Sequence, residues 1–192
     1  MLSKLEVLNI AGENIAGTLP SELLRLQKLK NMTVVSSMEG ILPSEIGNLR
    51  ALEHLELREN SFDGQIPTEL GLLQRLIYLD ISDHEYFTEA TIPSEFGNLS
   101  SLQTLHMSRN GLRDTVPSEL FGLFSLEEMN LSSNSLRGSL PLVLESASLR
   151  EMDLSDNKLT GIIPGALGSL ESLEVLRMHV SMYNVLLRSS QL

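Results

Sequence analysis

Residues 49–73 read LRALEHLELRENSFDGQIPTELGLL, and the pattern of apolar residues in this stretch recurs along the chain. Each copy holds one proline, and successive prolines are separated by 23, 24, 26, 24, 24 and 23 residues. These prolines are Pro20, Pro43, Pro67, Pro93, Pro117, Pro141 and Pro164. A fixed period of about 20 to 50 residues is typical of solenoids, in which each repeat packs only on its neighbours.

The period predicts one domain, residues 1–192, made of about eight repeats with a degenerate last copy. The predicted repeats start near Leu2, Leu26, Leu49, Leu73, Leu99, Leu123, Ser146 and Leu170.

Each part of the repeat has a physical reason. Alternation such as Leu55-Glu56-Leu57 predicts a short strand with its leucines inward and the residue between them outward. The asparagine after the strand, as at Asn60, predicts a buried amide that bonds to backbone groups of adjacent turns. Gly64 allows a positive φ, and Pro67 ends the strand pairing. The residues after the proline predict the first turn of a short helix, and the glycine of Leu-Gly is expected to end it.

This pattern resembles the plant-type leucine-rich repeat, LxxLxxLxLxxNxLxGxIPxxLGxL, over nearly the whole chain. The Gly-x-Ile-Pro half separates this subclass from other leucine-rich repeats. The resemblance implies an α/β repeat solenoid, a right-handed superhelix with a parallel sheet on its concave face. The subclass is best known from ectodomains of plant receptor kinases, from receptor-like proteins and from secreted glycosidase inhibitors.

Composition excludes several functions. The net charge is −11, from 25 acidic and 14 basic residues, which argues against a nucleic-acid partner and an anionic membrane surface. Cysteine is absent, so disulfides, thiol nucleophiles and cysteine-ligated metals are excluded. No apolar run approaches the ~20 residues of a membrane span, so no membrane insertion by this segment is expected.

We expect no enzymatic activity, no catalytic residues, no cofactor and no metal site. The chain contains no nucleophile elbow, phosphate-binding loop or HExxH motif. An open solvated sheet also lacks the burial that shifts the pKa values of catalytic groups.

The predicted ligand site lies in the middle of the concave face. Side chains in one column of a parallel sheet are neighbours, because adjacent strands lie about 4.8 Å apart. The candidate ligand-binding residues are His54, Glu56, Arg58, Tyr78, Asp80, His106, Arg109, Glu128 and Glu151. Exposed tyrosine, histidine and arginine are typical binding anchors. Glu56 beside Asp80, and Glu128 beside Glu151, place like charges together, which predicts a ligand with basic groups.

The fourth repeat departs from the pattern. It carries two extra residues between Ile81 and Ile92, with His84 in the asparagine position and Ala90 in the glycine position. Because insertions in solenoids usually map to loops, residues 83–87 are predicted to form an irregular surface segment.

The predicted function is a non-catalytic module that binds a protein or peptide on its concave face, similar to a receptor ectodomain. The alternatives are an intracellular scaffold and a secreted enzyme inhibitor of the same fold. The resemblance implies an extracellular or cell-surface location, whereas the lack of a signal peptide at the N-terminus leaves a cytoplasmic one open. Asn31, Asn98 and Asn130 are glycosylation candidates if the protein is secreted.

Overall fold

The computed structural model describes residues 4–84, 86–87 and 89–179. Residues 181–187 of the predicted degenerate repeat lie outside the described residues. The described strands are β1 Val7–Thr18, β2 Asn31–Ile41, β3 His54–Glu56, β4 Ser61–Asp63, β5 Tyr78–Asp80, β6 Thr104–His106, β7 Glu128–Asn130, β8 Arg137–Gly138, β9 Glu151–Asp153, β10 Lys158–Leu159 and β11 Val175–Arg177. The described 3₁₀ helices are Leu23–Arg25, Ser44–Asn48, Thr68–Leu72, Ser94–Asn98, Ser118–Gly122 and Gly165–Ser169.

The main sheet takes one strand from each predicted repeat, in the order β1-β2-β3-β5-β6-β7-β9-β11. All of these strands pair in parallel, with one register shift between Ala11 and Ala16 in the β1–β2 pair. His54 lies opposite Tyr78 and Glu56 lies opposite Asp80. The parallel sheet of a leucine-rich-repeat solenoid is therefore confirmed. A second set of pairings joins β4 to the later part of β2, and β10 to β8.

The core is a continuous stack of leucine-rich layers. In the third repeat Leu52, Leu55 and Leu57 are fully buried, as the alternating pattern predicts, and Glu56 between two of them is half-buried. Burying one such side chain contributes about 1.5–3 kcal/mol. Phe62, Phe87, Phe96 and Phe121 are the largest fully buried side chains.

The helical segments that follow Pro43, Pro67, Pro93, Pro117 and Pro164 are 3₁₀ helices of five residues each. The prediction that the Leu-Gly glycine ends the helix is wrong. Gly47 lies inside its helix, and a Cβ added there would stand 2.7 Å from the carbonyl oxygen of Glu69 in the next repeat. Gly71 and Gly97 face Glu95 and Glu119 in the same way. These glycines therefore let successive helices stack closely.

The buried asparagines connect neighbouring repeats. Asn134 donates from Nδ2 to the carbonyl oxygens of Met107 (2.8 Å) and Leu131 (3.0 Å). Its Oδ1 accepts from the backbone N–H groups of Asn110 (3.1 Å) and Leu112 (3.0 Å). Asn60, Asn110 and Asn157 donate in the same pattern, which confirms the predicted structural role.

His84 breaks this series of amides. The prediction of a surface segment over residues 83–87 is wrong for His84 and Phe87, which are fully buried, whereas Tyr86 is exposed. The imidazole of His84 packs between Phe62 and Phe87, with ring centroids 5.5 Å and 4.8 Å away. Neither of its ring nitrogens has a hydrogen-bond partner among the described residues. The two extra residues thus bring Phe87 into the core beside a histidine that replaces the amide.

Burial lowers the pKa of His84 to about 4, which predicts acid sensitivity. An unfolded chain binds a proton at His84 near pH 6.5, whereas the folded chain does not, so stability decreases as the pH falls from about 6.5 to about 4. At about 1.4 kcal/mol per pH unit, this residue accounts for a loss of up to about 3 kcal/mol. Urea unfolding of the protein and of a His84→Leu variant at several pH values in this range measures the difference. Equal pH dependence in the two proteins would contradict this origin of acid sensitivity.

Candidate functional site

The centre of the concave face is a strip of three rings on adjacent strands. His54 of β3 and Tyr78 of β5 are stacked, with ring centroids 4.4 Å apart and planes 6° from parallel. His106 of β6 meets Tyr78 edge-on, at 5.9 Å and 75°. The in-register pairing of β3, β5 and β6 brings these side chains together. We call His54, Tyr78 and His106 the aromatic strip.

His106 links two carboxylates from different strands. Its Nε2 lies 2.8 Å from Oε1 of Glu128 and its Nδ1 lies 3.8 Å from Oδ2 of Asp80. The pairing with Asp80 raises the pKa of His106; burial opposes this rise and Glu128 adds to it. The strip therefore favours a protonated imidazole held between two carboxylates.

Asp80 is the buried anchor of this arrangement. Its Oδ1 accepts the backbone N–H of Ser82 at 2.9 Å, and its Oδ2 accepts the hydroxyl of Tyr78 at 3.3 Å. Burial by itself raises the pKa of Asp80, but the interactions with His106 and Ser82 outweigh burial and lower it. Asp80 thus stays charged in the folded protein.

Tyr78 is held as a neutral hydrogen-bond donor. Burial raises the pKa of its phenol to about 12, and the charges of Asp80 and Glu56 act in the same direction. The ring is half-buried, so its remaining surface is available for contact.

Glu56 completes the polar surroundings of the strip. Its Oε1 accepts from Nε of Arg58 at 2.7 Å, and its Oε2 accepts from the hydroxyl of Thr33 at 3.3 Å. Nε2 of His54 lies 3.8 Å from Oε2. The hydrogen bond to Glu56 raises the pKa of Arg58, so the guanidinium stays charged.

The structure brings together seven of the nine predicted ligand-binding residues. The other two make their ion pairs outside this group. Arg109, whose side chain is 71% exposed, contacts Asp83 at 3.5 Å, and Glu151, although it lies opposite Glu128 in the sheet, pairs with Arg177 of β11. The residues brought together are His54, Glu56, Arg58, Tyr78, Asp80, His106 and Glu128.

Two further residues contribute to the site and were not predicted from the sequence, namely Thr33 and Ser82. Both residues occupy outward-facing positions of their repeats, and Thr33 lies opposite Glu56 in the sheet. Their position in the repeat could therefore have identified them.

The adjacent carboxylates already have cationic partners within the chain. Glu56 is paired with Arg58, Asp80 and Glu128 with His106, and Glu151 with Arg177. Like charges on neighbouring strands are destabilising when unpaired, and here they are paired. This pairing removes the reason for expecting basic groups in a ligand of the concave face.

The glycosylation candidates differ in their surroundings. Asn98 is exposed at the last position of its 3₁₀ helix, and Asn31 is exposed at the start of β2. Asn130 is half-buried in β7, where its Oδ1 accepts from the backbone N–H (3.0 Å) and hydroxyl (2.7 Å) of Ser132.

Hydrogen bonding, ion pairing and ring stacking are therefore the interactions that the concave face offers. Within the described ranges, no group of three or more histidine, aspartate or glutamate residues is arranged to hold a metal ion. No helix in the described part of the chain is long and apolar enough to cross a membrane.

Comparison with known proteins supports the repeat assignment. The Leucine Rich Repeat family model matches residues 51–73, 101–123, 125–147 and 148–170. No curated protein matches the sequence of this chain.

Solved structures of plant receptors are similar in fold and sequence. The ectodomain of the receptor kinase GASSHO1/SCHENGEN3 from Arabidopsis thaliana, in complex with CASPARIAN STRIP INTEGRITY FACTOR 2, is 33% identical over 92% of this chain, with a TM-score of 0.75. The structure of PEPR1–AtPEP1 has the same identity, coverage and TM-score. The Arabidopsis HAESA ectodomain, in complex with an IDA peptide hormone ligand, is 26% identical over 92% of this chain, with a TM-score of 0.72.

This chain spans only part of each of those proteins, namely 24%, 28% and 34% of their respective lengths. The fold, the four matched repeats and these similarities show that the chain is built of leucine-rich repeats and resembles the ectodomains of plant receptor kinases.

Proposed function

We propose that this chain binds a protein or peptide ligand on its concave face, with the aromatic strip at the centre of the contact, and catalyses no reaction. The observation that carries the proposal is the mutual contact of His54, Tyr78 and His106 on three adjacent strands. Aromatic side chains are frequent anchors of protein interfaces. Side chains already ordered by their neighbours lose little entropy on binding.

The geometry favours an extended segment as the ligand. Three adjacent parallel strands span about 10 Å, a distance that a short extended peptide covers with a few residues. Glu128 offers carboxylate surface for backbone N–H groups of the ligand, since its side chain remains 43% exposed beside His106. The ligand then lies across the strands, over the rings.

The similar solved structures support a peptide or protein ligand in general. HAESA was solved with a peptide hormone ligand. The plant peptide hormone receptor RGFR1 is 27% identical over 93% of this chain. We propose only the ligand class for this chain, because it corresponds to about a third of each of those receptors.

We also propose that the repeats act as one extracellular binding unit. This location predicts an N-linked glycan on Asn98, because its side chain is exposed and its sequon, Asn98-Leu99-Ser100, lies outside the concave face. Mass spectrometry of the protein purified from its native host measures the occupancy, with an Asn98→Gln variant as the control. An unmodified Asn98 would contradict the extracellular location and favour the cytoplasmic alternative.

The aromatic strip predicts a specific loss of binding when it is truncated. Peptides selected from a random displayed library on the immobilised chain provide the probe, and their Kd values are measured by calorimetry. We expect Tyr78→Ala and His106→Ala each to weaken binding by at least about tenfold, as for anchor residues of other interfaces.

The control variant is Arg75→Ala, which removes an exposed side chain outside the main sheet and is expected to leave Kd unchanged. Circular dichroism shows whether each variant remains folded. Peptides that bind all three variants as tightly as the unmodified chain would place the ligand site elsewhere.

A further inference from the structure

A second surface runs along the 3₁₀ helices, away from the aromatic strip. In five successive repeats the proline is followed by serine or threonine and then by glutamate, at Glu22, Glu45, Glu69, Glu95 and Glu119. In the last four of these repeats the hydroxyl donates to the carboxylate that follows it, as from Thr68 to Glu69 at 3.3 Å and from Ser118 to Glu119 at 3.2 Å. Because Gly47, Gly71 and Gly97 let the helices stack closely, these carboxylates form one row.

This row differs in charge balance from the concave face. Glu69, Glu95 and Glu119 form no salt bridge with a described residue. On the concave face, by contrast, cationic partners pair with Glu56, Asp80, Glu128 and Glu151. Part of the excess negative charge of the chain is therefore unneutralised at this row.

A shallow groove of about 800 Å³ lies along the row and crosses four repeats. Apolar residues contribute to its lining, among them Ile92, Pro93, Pro117 and Pro141. Its lining also includes Glu95, Glu119 and Asp114, and Thr68 beside Glu69, but no lysine, arginine or histidine. The groove therefore combines apolar surface with uncompensated negative charge.

The groove ends in exposed apolar side chains. In the sixth repeat Leu142 and Val143 replace the serine and glutamate of the preceding repeats, and they are 75% and 64% exposed. Leu142 lines the groove together with Glu119. In the next repeat the corresponding positions hold the small residues Gly165 and Ala166, and the exposure of Leu142 and Val143 shows that no described side chain covers this pair.

We propose that this groove docks an extended segment of a second protein, in which basic side chains precede apolar ones. Lysine or arginine side chains pair with Glu69, Glu95 and Glu119, and the apolar end covers Leu142 and Val143. Charge complementarity selects this partner, because an acidic or neutral segment would leave the carboxylates unpaired. Apolar burial at Leu142 fixes the direction of the segment. This surface is separate from the aromatic strip, so the two sites allow simultaneous binding of two partners.

The test uses the synthetic peptide KAKAKALL with blocked ends as the probe and the full chain as the receptor. Fluorescence anisotropy at low salt measures Kd for the unmodified chain and for a Glu69→Gln, Glu95→Gln, Glu119→Gln variant. A charge-matched control changes Glu145, Glu171 and Glu174 to glutamine, since these glutamates are exposed and do not line the groove. We expect the groove variant to weaken binding by about tenfold or more and the control by less than about threefold.

A second pair of measurements tests the apolar end. The Leu142→Ser, Val143→Ser variant, and the peptide KAKAKASS on the unmodified chain, are each expected to weaken binding by about fivefold. Tyr78→Ala is expected to leave the Kd of KAKAKALL unchanged, which separates this site from the proposed concave site. No saturable binding of KAKAKALL, or an equal loss in the groove variant and its charge-matched control, would overturn the proposal.

Discussion

The hydrogen bonds of the buried asparagine side chains are the interaction on which the other features depend. Each amide bonds to carbonyl groups of its own repeat and of the preceding one, as Asn134 does with Leu131 and Met107. Buried backbone groups that lack a partner cost free energy, and the chain bends away from the strand at this point. The amides satisfy these groups and hold successive strands in register. His84, which holds the asparagine position of its repeat, lies where two extra residues lengthen the repeat.

The pairing of the strands places equivalent residues of successive repeats side by side on one surface. His54 therefore stacks on Tyr78, although the two residues are a whole repeat apart in the chain. The same stacking outside the sheet aligns the glutamates of the 3₁₀ helices beside the groove. On the concave face Glu56 and Glu128 are paired with Arg58 and His106, whereas Glu69, Glu95 and Glu119 form no salt bridge with a described residue. Two surfaces of different chemistry thus follow from one repeat.

The fold, and which residues of each strand face outward, were predictable from the sequence, because apolar periodicity determines which side chains face inward. The pairing of His106 with Asp80 and Glu128 was not, since it depends on rotamers rather than on position. The glycines of the Leu-Gly positions were misassigned because a helix end and a close helix contact both require glycine. Residues 83–87 were misassigned because an insertion usually forms a loop, whereas here His84 and Phe87 pack into the core. The groove beside Glu95 and Leu142 could not be predicted, because it depends on the three-dimensional arrangement of four repeats.

The central claim is that a peptide ligand contacts the aromatic strip, and aromatic NMR tests it most directly. The chain has only five phenylalanines, three tyrosines and four histidines, so one aromatic correlation spectrum reports on most surfaces. His54, Tyr78 and His106 lie on the strip, whereas Tyr86 and Phe124 are exposed elsewhere. On addition of a selected peptide, we predict shifts of the three strip resonances with Tyr86 and Phe124 unchanged. Shifts confined to Tyr86 or Phe124, with the strip unmoved, would contradict the account.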